Sequence, residues 1–143
     1  MNGYHKLNHT IWECKYHVVF IPKYRKRSLY GSIRMDVGKI LKDLARQKSC
    51  EIEAGKVMSD HVHMLISIPP KYSVSNVIVY IKGKSAIYIA RHYRGKKRNF
   101  SGENFWARGY FVSTVGRDEE LIRKYIVEQD NSDKSLDEIP LFR

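Results

Sequence analysis

The sequence SDHVHMLISIPP at residues 59–70 predicts a strand that carries two histidines on one face. Successive side chains of a strand point to opposite faces, so His61 and His63 project from the same side. Apolar side chains alternate with them and are expected to face a core: Val62, Met64, Ile66 and Ile68. The strand ends at Pro69 and Pro70, because proline cannot donate a ladder hydrogen bond.

The histidine pair has two interpretations at this level. Two imidazoles on one face form half of a metal site, or they are partly buried or solvated side chains that hold no metal. Structural zinc takes four ligands and catalytic zinc takes three and a water, so two histidines complete neither kind of site. The neighbouring carboxylate of Asp60 is expected on the opposite face of the strand. If a metal binds, a third ligand must come from elsewhere in the chain.

The composition indicates one folded domain with a polyanionic partner. A chain of 143 residues can bury a single core, and 43% hydrophobic residues exclude a disordered chain. The 26 Lys and Arg residues outnumber the 15 acidic ones, which gives a formal charge of +11. No acidic residue occurs from His61 to Gly102. Such one-sided charge predicts a nucleic acid partner whose binding weakens steeply with salt.

The sequence also bears on the compartment in which the protein works. Cys14 and Cys50 match no metal or redox spacing, and two cysteines do not make a disulfide framework. The N-terminal residues lack an apolar signal region, and no run approaches about 18 consecutive apolar residues. We therefore expect a cytoplasmic protein without membrane contact, which is nucleoid-associated when it binds DNA.

The periodicity of the chain predicts six core elements in the order β-α-β-β-α-β. They are a strand at 14–22, a helix at 32–48, strands at 50–58 and 59–70, a helix at 73–93 and a strand at 109–115. This order predicts an α+β fold of the ferredoxin-like, split β-α-β plan, a four-stranded antiparallel sheet with helices on one face. Its first and third strands are central, so we expect the histidine strand mid-sheet, with a polar face free for chemistry.

A further helix is predicted beyond the sheet. Asp118 can cap it, and it carries Tyr125 and Gln129 four residues apart, hence on one face. From the residues alone, Tyr125 is either a reactive hydroxyl or part of the apolar stripe that packs this helix. The predicted division is a single domain at 1–131, with a ferredoxin-like core at 13–115 and a mobile helix at 117–131, followed by a tail at 132–143.

Three motifs occur in order on these predicted elements: HVH at 61–63, WARGYFVSTVG at 106–116 and YIVEQ at 125–129. Together they resemble the single-tyrosine HUH transposases of small insertion sequences with hairpin ends, the IS200-like transposases. The resemblance extends from the first predicted strand to the last helix. It implies a DNA transposase that cleaves and rejoins single-stranded DNA.

The resemblance implies roles for individual residues. His61 and His63 are implied as two ligands of a divalent metal, Mg²⁺ or Mn²⁺, and Gln129 as the third. Tyr125 is implied as the nucleophile, which forms a 5′-phosphotyrosine and releases a 3′-OH. A homodimer that shares its active sites between subunits is also implied. In it the last helix swings on a glycine hinge, a role that Gly116 fits.

The implied substrate is single-stranded DNA that folds into hairpins at the ends of the mobile element. A basic run with a tyrosine follows the first strand and is the candidate hairpin contact: Lys23, Tyr24, Arg25 and Arg27. Other functions remain open at this level. They are a non-catalytic nucleic-acid-binding module with the same fold, a related HUH nickase or domesticated relative, and a member that only binds DNA and represses expression.

Overall fold

A computed structural model describes residues 5–7, 10–23, 29, 31–93, 105–116, 123–124 and 126–127. The elements are β1 (His5–Leu7), β2 (Thr10–Trp12), β3 (Lys15–Phe20), α1 (Gly31–Gln47), β4 (Glu51–Met58), β5 (His61–Ser67), α2 (Val74–Tyr93) and β6 (Phe111–Val115). Within these ranges, no helix is long and apolar enough to cross a membrane.

The main sheet has four antiparallel strands in the order β4-β5-β3-β6. The strand that carries the histidines, β5, pairs with β3 on one side and with β4 on the other. The ferredoxin-like sheet and the mid-sheet position of the histidine strand are therefore confirmed. The ends of the elements differ from the predicted ends by a few residues, and β4 and β6 are the two edges.

One face of this sheet packs against both helices and forms the core. The alternation predicted for the histidine strand is confirmed, because its apolar set belongs to this core: Val62, Met64, Ile66 and Ile68. Each helix contributes an apolar stripe to this core: Val37, Leu41 and Leu44 from α1, and Val77, Ile78, Ile81 and Ile89 from α2. Ser73 caps α2, since its Oγ accepts a hydrogen bond from the Asn76 N–H at 3.0 Å.

Two parts of the chain differ from the sequence-based expectation. Before the core, β1 and β2 pair as a separate antiparallel sheet, which was not predicted because three-residue strands offer too few alternations to detect. The segment before β6 belongs to none of the predicted elements, yet Phe105 and Trp106 are buried in the core. The indole N–H of Trp106 donates to Ser85 Oγ at 3.0 Å, which ties this segment to α2.

The second face of the sheet is not the open polar surface that the sequence predicted. On its two central strands, four polar side chains are buried together with apolar neighbours: Lys15, His61, His63 and Ser67 beside Val19 and Leu65. Ile126, in the helical segment near the C-terminus, is also fully buried. Burial in a low dielectric disfavours the charged form of any titratable group in this part of the sheet.

Candidate active site

His61 and His63 lie together at the centre of the sheet. Their ring centroids are 4.6 Å apart and the ring planes are inclined by 71°. Both rings are buried, with relative exposures of 0% and 2%. Because β5 is hydrogen-bonded along both of its edges, the backbone that carries the two imidazoles is fixed from both sides. The two-residue spacing therefore brings the pair together as the pleat of a strand requires.

Asp60 lies in the turn before β5 and contacts the first histidine directly. Its Oδ1 is 2.7 Å from His61 Nδ1, and both side chains are buried. The expectation that the pleat would send Asp60 to the opposite face was wrong, because a turn residue does not follow the alternation of the strand. A carboxylate that accepts from Nδ1 fixes the tautomer of a histidine and leaves Nε2 as the ligand atom.

A third histidine, which the sequence analysis did not single out, adjoins the pair. His17 on β3 places its Nε2 3.4 Å from His63 Nδ1, and the two rings stack at 5.6 Å with 20° between their planes. In the sheet register Val19 lies opposite His63, so His17 is its diagonal neighbour on the same face. Phe111 on β6 meets the His17 ring edge-on at 6.1 Å. The alternation of Lys15, His17 and Val19 could be inferred from the sequence. The register between β3 and β5 could not.

Burial sets the protonation of these rings. Desolvation lowers the pKa of His63 to about 3, with smaller contributions from the positive charges that His61 and His17 would carry. Burial also lowers the pKa of His17. Both rings are therefore neutral near pH 7, and a neutral imidazole keeps the lone pair that binds a metal.

The two histidines fit a divalent metal by their chemistry. His63 Nε2 is buried and has no hydrogen-bond partner among the residues that the structure describes, and Asp60 orients His61. Imidazole nitrogen suits several first-row divalent metals. Within the described ranges, however, no group of three His, Cys, Asp or Glu side chains is arranged to hold an ion. The predicted third ligand, Gln129, lies outside those ranges.

A carboxylate network lies on the same face, on the β4 side of the histidines. Glu53 accepts hydrogen bonds from Lys15 at 3.0 Å, Ser67 at 2.5 Å and Arg123 at 2.9 Å. The register between β4 and β5 shifts between Ile52 and Ala54, so Glu53 occupies a β-bulge. Bulges re-aim side chains, and here one carboxylate joins three strands to the helical segment near the C-terminus.

The remaining predicted site residues are only partly described. Tyr125 and Gln129 lie outside the described residues, although their neighbours Arg123, Lys124, Ile126 and Val127 are helical. Tyr24, Arg25 and Arg27 also lie outside them. Lys23 is exposed, and its backbone N–H donates to Phe105 O at 2.8 Å. Gly116 is exposed after β6, where an added Cβ would meet no atom within 4 Å, so its role as a hinge stays a prediction.

A ferredoxin-like sheet with a buried histidine pair at its centre, in a chain of formal charge +11, fits the class of proteins that act on nucleic acids. The family model described as "Transposase IS200 like" matches residues 10–129, which include both histidines and the predicted last helix. The chain therefore belongs to the IS200-like transposase family, and its class is that of enzymes that cleave DNA and transfer its strands.

Similar proteins agree with this assignment. The transposase for insertion sequence element IS200 from Salmonella typhimurium is 42% identical over 135 residues, 94% of this chain and 89% of that relative. The ISDra2 transposase TnpA from Deinococcus radiodurans is 32% identical over 124 residues, 86% and 89% of the two chains.

Solved structures share the fold. A crystal structure of a candidate transposase from Deinococcus radiodurans R1 matches with a TM-score of 0.70 and 29% identity, over 87% of this chain and 97% of that one. A REP-associated tyrosine transposase bound to a REP hairpin matches with a TM-score of 0.62 over 90% of this chain and 73% of that one. At 17% identity, the second match bears on the fold alone.

Proposed function

We propose that this transposase cleaves and rejoins single-stranded DNA at the hairpin-bearing ends of an insertion sequence, through a 5′-phosphotyrosine on Tyr125. His61, His63 and Gln129 would hold a divalent metal, Mg²⁺ or Mn²⁺. The observation that carries the proposal is the buried histidine pair at the centre of the sheet, in which burial keeps His63 neutral and Asp60 contacts His61. Core histidines need no such orientation, whereas ligand histidines do.

The reaction requires little covalent chemistry from the protein. The Tyr125 hydroxyl attacks the scissile phosphorus, the bond to the 3′-oxygen breaks, and that oxygen leaves as a 3′-OH with a proton. Attack by another 3′-OH reverses the step and joins strands, so the phosphodiester energy is retained and no nucleotide cofactor is needed. A bound divalent metal supplies Lewis-acid polarisation of the phosphate. Positioning and the exclusion of water by the buried face supply the rest.

The proposed partner is single-stranded DNA with terminal hairpins, bound by a homodimer whose active sites are shared. The formal charge of +11 supports a phosphate-rich ligand and association with the nucleoid. The similar fold of a transposase bound to a REP hairpin supports a hairpin as the form of that ligand. Lys23, Tyr24, Arg25 and Arg27 remain the candidate hairpin contacts, on the basis of charge and sequence position.

A covalent adduct tests this proposal. The protein is incubated with hairpin-bearing single-stranded DNA from the flanks of its own gene and with Mn²⁺ or Mg²⁺, then resolved on a denaturing gel. We expect an adduct that is lost in Tyr125→Phe and in the presence of a chelator, while hairpin binding persists. Tyr88→Phe, a half-buried tyrosine on α2, is the matched control and should still form the adduct.

The negative outcomes are also informative. An adduct that survives in Tyr125→Phe would move the nucleophile to another tyrosine. An adduct that forms in the presence of chelator would remove the metal from the proposal. Hairpin binding without any adduct would favour a member of the family that binds DNA and represses expression.

A further inference from the structure

A basic groove lies at the outer edge of the sheet, and His63 of the candidate active site is among its lining residues. It has a volume of about 650 Å³ and lies between α1 and β4, with His63 and Arg123 among its lining residues. The volume falls within the roughly 300–1,000 Å³ typical of pockets that bind small ligands. Because β4 is an edge of the sheet formed by the described residues, no strand of that sheet closes the groove on its outer side.

The charge of the groove is one-sided. Among the described residues that line it, five are basic and one is acidic: Arg34, Lys39, Lys42, Lys56 and Arg123 against Glu53. The Glu53 carboxylate is already shared by Lys15 and Arg123. The described lining residues therefore carry more positive charge than the Glu53 carboxylate neutralises.

Two of these cations are available to a ligand. Lys39 and Lys42 lie three residues apart on one face of α1, and both are exposed. Neither side chain takes part in a hydrogen bond or ion pair within the part of the chain that the structure describes. In contrast, Arg34 is occupied, since its Nε donates to the Val57 carbonyl at 2.5 Å.

The walls of the groove also offer apolar surface beside this charge. Met35 is 69% exposed and Val127 is 48% exposed, and both line the groove. Gly38 lies between Met35 and Lys42 on α1, and because it has no side chain it does not project into the groove. A cationic channel with apolar walls suits a single strand, whose phosphates and unpaired bases are both accessible.

We propose that this groove binds the single-stranded DNA segment adjoining the phosphodiester that is cleaved, with Lys39 and Lys42 contacting its phosphates. The inference rests on the proposed function, because it takes the histidine end of the groove as the place of cleavage. The strand approaches the histidines around the β4 edge, so strand binding by the groove is separable from hairpin binding elsewhere on the protein.

Charge removal at the two lysines tests the groove. The ligand is fluorescein-labelled oligothymidylate, which forms no hairpin, and its binding is followed by fluorescence anisotropy over a range of salt concentrations. In Lys39→Gln/Lys42→Gln, the magnitude of the slope of log K against log salt should fall by about 1.4, because each phosphate contact on a single strand contributes about 0.7. Both lysines are exposed, so the variant should fold, which thermal unfolding checks.

A matched variant removes the same charge elsewhere. Lys71→Gln/Lys84→Gln also replaces two exposed lysines, neither of which lines the groove. We expect this control to retain the wild-type slope. Equal slopes in the wild type and the groove variant, or an equal loss in the groove and control variants, would refute the groove as the strand site.

The adduct assay separates this inference from the proposed function. If wild-type protein forms the Tyr125 adduct while the groove variant binds oligothymidylate normally, the groove assignment is wrong and the proposed function stands. If no hairpin-bearing DNA gives an adduct with the wild type, the proposed function fails irrespective of the binding result. A groove variant that binds oligothymidylate poorly and also forms the adduct more slowly would support both.

Discussion

Each imidazole of the candidate site has a different partner at its Nδ1 atom. Asp60 contacts His61 at 2.7 Å, whereas His17 contacts His63 at 3.4 Å. The hydrogen bond at one ring nitrogen decides how the other nitrogen is presented to a metal. Because the second contact is longer and joins two neutral rings, the orientation of His63 depends on His17 and on the stacking of the two rings.

We therefore expect His17→Phe to weaken Mn²⁺ binding by roughly 10- to 100-fold, the usual cost of losing the outer partner of a ligand histidine. His17→Gln retains a hydrogen-bond acceptor and should bind Mn²⁺ close to the wild-type affinity. Electron paramagnetic resonance titration with Mn²⁺ measures the affinity directly. His92→Phe, at an exposed histidine of α2, is the control. Wild-type Mn²⁺ affinity in His17→Phe would show that His17 does not position His63.

The sequence predicted the histidine pair because two residues on one strand share a face by geometry alone. It did not predict the contacts of His17 and Asp60. His17 and His63 are 46 positions apart in the chain, and only the antiparallel register of β3 and β5 brings them together. Asp60 contacts His61 through the backbone of a turn. Neither the register nor the turn geometry follows from the hydrophobic pattern.

Among the elements, the β-bulge in β4 connects the sheet to the helical segment near the C-terminus. Glu53 in the bulge contacts Arg123, 70 positions along the chain, as well as Lys15 on β3. These two contacts differ in burial. The side chain of Lys15 is 1% exposed, whereas that of Arg123 is 38% exposed and its ion pair is screened by water.

Glu53→Gln should therefore destabilise the protein more than Arg123→Gln does. Removing the partner of a buried charge costs about 3–5 kcal/mol, whereas an exposed pair contributes at most about 1 kcal/mol. Urea denaturation measures both changes in unfolding free energy. Hydrogen exchange should show faster exchange near residues 123–127 in both variants, with β5 unchanged in Arg123→Gln. Equal destabilisation by the two substitutions would contradict this account.

β4 approaches β5 closely beside the histidines, and this packing of two strands leads to a second prediction. A Cβ added at Gly55 would lie 2.9 Å from the His63 carbonyl oxygen, which is backbone and cannot move freely. Gly55→Ala should therefore destabilise the protein and weaken Mn²⁺ binding. Gly83→Ala is the control, since its Cβ would meet nothing within 4 Å and alanine favours the helix by about 1 kcal/mol. Thermal unfolding should shift in opposite directions for the two variants.

For the molecule as a whole, the sequence predicted the strand order, the core face and the basic character. These follow from periodicity and composition, which are local properties of the chain. It did not predict the burial at the centre of the second face, because the burial of Lys15, Val19, Leu65 and Ser67 depends on what packs over them. Burial at the centre of this face makes the stability of the whole fold sensitive to the protonation of its histidines.

The metal-free protein should lose stability in acid for this reason. Burial lowers the pKa of folded His63 from 6.5 to about 3, and the pKa of His17 is also lowered. Between these values the unfolded chain binds more protons, so the stabilisation is fully present above pH 6.5 and is lost as pH falls toward 3. Urea denaturation at a series of pH values, with chelator present, measures the slope of the unfolding free energy against pH. His63→Gln should flatten it and His92→Gln should not; an unchanged slope in His63→Gln would place the acid sensitivity elsewhere.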